Sequence, residues 1–154
     1  GFSWVQNQSR FSNVVTFDAD GQHRPQDALG LVTELGNKNV DVVFASRFLE
    51  QDQATIPLTK RMVLKSVAKI TKALTDVQLS DAHNGLRALT VEATRAIDLT
   101  QNGMAHATQL VSLVLQANLK YTEVPVTVLY TPYSRSKGQS VFNSINIALD
   151  LIWG

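Results

Sequence analysis

Two short runs of β-branched and aromatic residues, Asn13 to Phe17 (NVVTF) and Asp41 to Ala45 (DVVFA), bracket one stretch of helical periodicity. Apolar runs this short, closed by polar residues, suit buried strands better than helices. Between them, Pro25 fits the first turn of a helix. The segment from Gln26 to about Leu35 puts Ala28, Leu31, Val32 and Leu35 on one face, and Gly36-Asn37 is the expected stop. Strand, helix, strand is the unit of a parallel α/β sheet, which narrows the fold at once.

The remaining chain supplies more elements of the same kind. Phe48 to Thr55 reads as a polar loop, and Pro57 to about Leu74 as a long helix. In that helix Val63, Val67, Ile70 and Leu74 form an apolar stripe beside the basic residues Arg61, Lys65, Lys69 and Lys72. Val77 to Ala88 holds short extended pieces around Asp81-Ala82-His83-Asn84-Gly85. Thr90 is the expected N-cap of a helix to about Leu99. A further helix is expected over Met104 to Asn118, with Leu110, Val114 and Ala117 inward. Lys120 to Tyr130 reads as extended, and Pro125 places an edge or a bend there. A loop from Thr131 to Gly138 precedes a last amphipathic helix, Ser140 to Trp153. No repeat or linker divides the chain, which reads as one domain or part of one.

Composition mainly excludes. The 154 residues are 44% hydrophobic and 18% charged, as in a soluble globular protein. Fourteen basic and thirteen acidic residues leave a net charge of +1, which argues against a nucleic-acid partner. The absence of cysteine rules out disulfides, thiolate zinc sites and cysteine nucleophiles. No run reaches the 18 or so apolar residues of a membrane-spanning helix.

Chemistry concentrates at Asp18-Ala19-Asp20, where the first strand ends. Carboxylates at i and i+2 leave a strand on one side and can face one hard cation, Mg²⁺ or Mn²⁺. Gln22 and His23 stand just beyond, within reach of the same ion. An EF-hand is rejected, because its fifth position is Gln22 and its twelfth is Leu29. A haloacid-dehalogenase-like phosphatase also opens with a strand and D-x-D-G. That family usually follows the glycine with threonine and later needs a close acidic pair. Here Gln22 follows Gly21, and no two acidic residues lie within four positions of each other after Glu50 and Asp52.

From Val14 to Gly138 the chain resembles the family 2 inverting glycosyltransferases, especially the branch similar to dolichol-phosphate mannose synthase. The matching stretches are VVTFDADGQHRP, DVVFASRF, the arginine of KRMVLKS, SDAHNGLRAL, YTEVPV and YTPYSRSKGQS. They occur in the family's order and at plausible spacings. The resemblance implies an α/β partial GT-A fold, with a mixed sheet flanked by helices. It also implies transfer of a sugar from a nucleotide-diphosphate donor to a polyprenyl-phosphate or saccharide acceptor. In that fold the D-x-D follows a nucleotide-binding half built from strands and helices. The 17 residues before Asp18 are fewer than the ~30 of a single βαβ unit. That half is therefore expected to be absent, Phe2 to Gln8 to be the end of its last helix, and the isolated chain to bind donor poorly.

The same resemblance assigns roles. Asp18 and Asp20 match the D-x-D, Asp20 as the direct metal ligand and Asp18 nearer the donor ribose or metal, with Gln22 helping to hold the metal. Arg47 and Arg61 match arginines directed at donor or acceptor phosphates, which a guanidinium fork can clamp bidentately. Asp81 is the candidate general base for a hydroxyl acceptor. A polyprenyl phosphate is already anionic and needs no base, and Asp81 would then orient the acceptor or an arginine. Arg135 and Lys137, with Gly138, belong to a loop that can close over bound donor and exclude water. His83 and His106 are expected to be packing or surface residues.

The basic stripe from Arg61 to Lys72 suits an anionic membrane surface or a lipid phosphate, or is a plain solvated helix face. The expected location is the cytoplasm, and on the first of these readings the cytoplasmic face of the membrane. Bacterial assembly of cell-surface polysaccharide or lipid-linked sugars is the expected setting, by family analogy. An open sheet edge makes self-association an expectation. The two competing classes are the phosphatase and an inactive fragment serving as an interaction module.

Overall fold

The computed structural model describes residues 1–49, 79–82, 84–101 and 105–129. The elements within these residues are α1 (Phe2–Gln6), β1 (Asn13–Thr16), α2 (Pro25–Lys38), β2 (Val42–Ser46), β3 (Arg87–Thr90), α3 (Val91–Ala96), α4 (Ala105–Gln116) and β4 (Tyr121–Pro125). The expected helices over 57–74 and 140–153 and the loop over 131–138 lie outside the described residues. So do the rest of the polar loop after Leu49 and residues Arg61, His83, Arg135 and Lys137.

The four strands form one mixed sheet in the order β1-β3-β2-β4. β1 and β2 run parallel, joined by α2 as their sequence predicts, but they are not neighbours. β3 lies between them, antiparallel to both, with Val15 opposite Ala88 and Val43 opposite Ala88. β4 adds to β2 in parallel, from Val42↔Tyr121 to Ser46↔Pro125. Among the described residues β4 is an edge strand, and Pro125 closes it where its missing N–H does the least harm.

Alternation along β2 builds a core on each face of the sheet. Val42 and Phe44 join Leu89, Ala93, Ile97, Leu110, Val111 and Val114 beneath α3 and α4. Val43 and Ala45 join Leu31, Leu35, Leu86 and Ala88 beneath α2. All of β2 is buried, which explains its unbroken apolar run.

Three helix ends differ from their expected positions, each for a local reason. α2 runs past Gly36 to Lys38 and stops at Asn39, whose φ of 49° is left-handed. The Asn39 and Val40 amides then close on the Gly36 and Leu35 carbonyls, a cap that asparagine tolerates well. Thr90 caps α3 as expected, its hydroxyl accepting from the Ala93 amide at 3.0 Å. That helix ends at Ala96, because Ile97 turns extended and drops its side chain into the core. α4 ends two residues before Asn118, which takes the left-handed conformation at φ 52°.

Candidate active site

The sheet brings four chain segments to one end. β1, β2 and β4 all finish there, and β3 starts there. The Asp18–Asp20 turn, Arg47, residues 80–82 and 84–86, and Glu123 on β4 are therefore gathered at the carboxyl ends of the parallel strands. Open α/β sheets place their ligand crevices at this end.

At the centre of this end, Asp81 is held from several sides. Arg47 donates to it through Nε (2.7 Å to Oδ2) and Nη2 (2.7 Å to Oδ1). The Arg47 backbone amide adds a third bond, at 3.0 Å to Oδ2. Asn84 Nδ2 donates a fourth at 3.2 Å, and the Asn84 side-chain oxygen in turn accepts from the Leu86 amide. Only 2% of the Asp81 side chain is exposed, against 15% of Arg47. Burial by itself would raise this carboxyl, but the Arg47 charge, the Arg47 hydrogen bonds and Asn84 together hold it below the ordinary carboxylate range. A carboxylate so held is a weak proton acceptor and a strong orienter of its arginine.

Glu123 fixes the start of the same loop. Its carboxylate accepts from the Ser80 amide at 2.8 and 2.9 Å, the Ser80 hydroxyl at 2.9 Å and the Asp81 amide at 3.2 Å. The Ser80 and Ser46 hydroxyls are also hydrogen-bonded. Sequence reasoning missed Glu123. Its signals were a carboxylate inside a strand and its place in the matching stretch YTEVPV.

The acidic turn is built differently. The side chain of Asp18 is 58% exposed, and His23 Nε2 lies 4.0 Å from its Oδ2. Asp20 turns back on its own chain, its Oδ1 accepting from the Gln22 amide at 3.0 Å. Gly21 supplies the turn with a φ of 74°, which glycine adopts without strain. The Gln22 carbonyl accepts from the Leu129 amide at 2.9 Å, which ties the turn to the chain beyond β4. His23 is buried edge-on against Phe17, and its Nδ1 has no partner. Burial lowers its pKa, against the opposing pull of Asp18 and Asp20, so the imidazole is neutral at pH 7.

Arg87, at the start of β3, was also not singled out from the sequence. It is 1% exposed, donates through Nη2 to the Ala82 carbonyl at 3.1 Å, and lies over the Phe44 ring. Burial lowers its pKa to about 10, although Asp18 and Asp81 pull the other way. It remains charged at neutral pH, with Nε unpartnered. Thr16, Asp18, Gly85 and Arg87 line one cleft of about 600 Å³, which reaches Asp98 and His106 on the far wall. Asp18 and Gly85 thus border a common cleft, whereas Asp20, Gln22, Arg47 and Asp81 do not line it.

Among the described residues, no three His, Cys, Asp or Glu side chains converge as a metal cage. The acidic turn offers two carboxylates, one of them well exposed. This donor set fits Mg²⁺ or Mn²⁺, which are held by one or two carboxylates while phosphate oxygens and water complete the shell.

The chain is similar to a protein of Methanocaldococcus jannaschii described as uncharacterized, at 32% identity over 142 residues. It is similar to a UDP-N-acetylglucosamine–dolichyl-phosphate N-acetylglucosaminyltransferase of Methanococcus voltae, at 30% identity over 142 residues. It is also 24% identical over 163 aligned positions to an undecaprenyl-phosphate mannosyltransferase of Micrococcus luteus. Its similarity is to sugar transferases. The alignments take in 90%, 90% and 99% of this chain but 58%, 57% and 66% of the relatives, so the chain spans less than two thirds of their length. No protein-family model matches it. No described helix is long and apolar enough to cross a membrane.

Proposed function

We propose that this chain carries the metal- and phosphate-handling side of an inverting glycosyltransferase, with a nucleotide-diphosphate sugar as donor and a polyprenyl phosphate as acceptor. The observation that carries the choice of acceptor is the pairing of Asp81 with Arg47. A hydroxyl acceptor needs a base, and a buried carboxylate already neutralised by a bidentate arginine serves poorly as one. A phosphate acceptor needs a fixed cation instead, and Asp81 fixes Arg47. The relatives named for dolichyl and undecaprenyl phosphate support the same direction.

In this reading an acceptor phosphate oxygen forms the new bond to the anomeric carbon. The bond from that carbon to the donor's β-phosphate oxygen breaks on the opposite face, and a nucleoside diphosphate leaves. A divalent ion, when bound, neutralises charge on that leaving diphosphate. Asp18 and Asp20 would hold it, with Gln22 beside them. Arg47, held in plane by Asp81, orients the acceptor phosphate. Arg61, Arg135 and Lys137, which lie outside the described residues, are assigned to donor or acceptor phosphates by resemblance. The inner membrane face is where such an acceptor would be met.

Calorimetric titration of Mn²⁺ with nucleoside diphosphates into the full-length protein tests the metal site, wild type against Asp20→Ala. Metal-dependent binding is expected in the wild type and lost in the variant. Equal binding in both would overturn the reading. For the acceptor, Asp81→Asn and Arg47→Ala should lower transfer to a polyprenyl phosphate by similar factors, and by little more when combined. Loss of one acidic limb from the pH–rate profile in Asp81→Asn alone would restore the general base.

A further inference from the structure

Gly85 lies where the two halves of the site touch. A β-carbon placed on it would overlap Cγ and both carboxylate oxygens of Asp18. These are the three nearest atoms it would meet, and they belong to a short, exposed side chain rather than to backbone. The peptide itself is well tied. The Gly85 carbonyl accepts from Thr16 Oγ1 at 2.7 Å, two residues before Asp18, and the Asn84 side chain holds the Leu86 amide. An added methyl would therefore leave the loop in place and turn the Asp18 carboxylate away.

We propose that Gly85 is a positioning residue for Asp18: only a bare backbone at this point lets the Asp18 carboxylate rest against the loop that carries Asp81. The inference rests on the proposed metal role of the acidic turn and adds the feature that sets its geometry. It also predicts a separation of roles, because Gly85→Ala should disturb the acidic turn while leaving the Asp81–Arg47 pair intact.

The test is made in the full-length protein with Mn²⁺ and UDP or GDP, read by loss of the electron-paramagnetic resonance signal of free Mn²⁺, alongside thermal melting. The proteins are the wild type, Asp18→Ala, Asp20→Ala, Gly85→Ala and the double variant Asp18→Ala/Gly85→Ala. Gly85→Ala is expected to weaken Mn²⁺–nucleotide binding by about 10–100-fold, the range typical of losing a residue that orients a ligand. It should melt close to the wild type, and it should add nothing on the Asp18→Ala background, where the overlapping atoms are gone. Wild-type binding by Gly85→Ala, when Asp18→Ala is weak, would overturn the proposal. So would an additive loss in the double variant, or unfolding of Gly85→Ala, since the claim is that the side chain yields and the backbone does not. If Asp18→Ala and Asp20→Ala both bind like the wild type, the metal reading itself fails, and that result is distinct from the others.

Discussion

The corner formed by Asp81, Arg47, Asn84 and Glu123 and the turn formed by Asp18 and Asp20 lie at the same end of one sheet, yet they are opposites in construction. In the corner, one buried and one half-buried carboxylate accept from backbone amides, two hydroxyl or amide side chains and a guanidinium. In the turn, one exposed carboxylate rests on a glycine and the other caps a single amide. The corner is complete before any ligand arrives. The turn keeps oxygen lone pairs for something else. A site that must capture a cation and a diphosphate gains from this division, because rigid supports hold the cationic side while the anionic side stays open.

Asp81→Ala should give the largest effect on folding. It removes the buried carboxylate that a mostly buried guanidinium grips bidentately, and breaking such pairs costs about 3–5 kcal/mol. Denaturant unfolding measures it. A loss below about 1 kcal/mol would mean that water reaches Arg47 freely and that the corner is no more rigid than a surface ion pair.

Glu123→Gln comes next. A neutral amide can still accept at one oxygen but must present its NH₂ near the other donors from Ser80 and Asp81. Hydrogen bonds to charged groups contribute about 1.5–3 kcal/mol, so a loss of that order is expected by the same measurement. The transfer rate should fall as well, since Arg47 is held through the loop that Glu123 anchors.

Acid sharpens the contrast through the direction of the Asp81 shift. Its pKa is lowered on folding, so its stabilising contribution is present above the unfolded value of 3.8 and lost as pH falls through the lower folded value. Wild-type stability should decline below about pH 4. The decline should be shallower in Asp81→Asn, followed by circular dichroism across an acid series. An identical acid limb in both proteins would place the titrating group elsewhere.

What the sequence disclosed follows the range of the interactions. The acidic turn was legible because its parts are adjacent: Asp20 and Gln22, whose bond spans two positions. β1, β2 and α2 were legible from two short β-branched runs and from a period of three to four residues between them. The insertion of β3 between β1 and β2 was not, because Arg87–Thr90 is short and pairs with strands far away in the chain. The Asp81–Arg47 pair spans 34 positions and the Ser80–Glu123 contact 43. Nothing local in SDAHNG or YTEVP reveals either partner. The family resemblance placed Asp81 at the site, but only the folded geometry shows that its carboxylate is already engaged.

The smallest expected effect is on the other side of the comparison. Asp20→Ala removes one hydrogen bond to the Gln22 amide in a turn whose glycine already adopts its left-handed conformation. Surface changes of this kind usually move stability by no more than about 0.5 kcal/mol. The unfolding midpoint without metal should therefore match the wild type, while stabilisation by Mn²⁺ and nucleoside diphosphate should vanish, since a ligand stabilises only the state that binds it. The two measurements separate a binding group from a supporting one. If Asp20→Ala instead destabilised the metal-free protein as much as Glu123→Gln, the acidic turn would be part of the scaffold, and the division between the two regions would not hold.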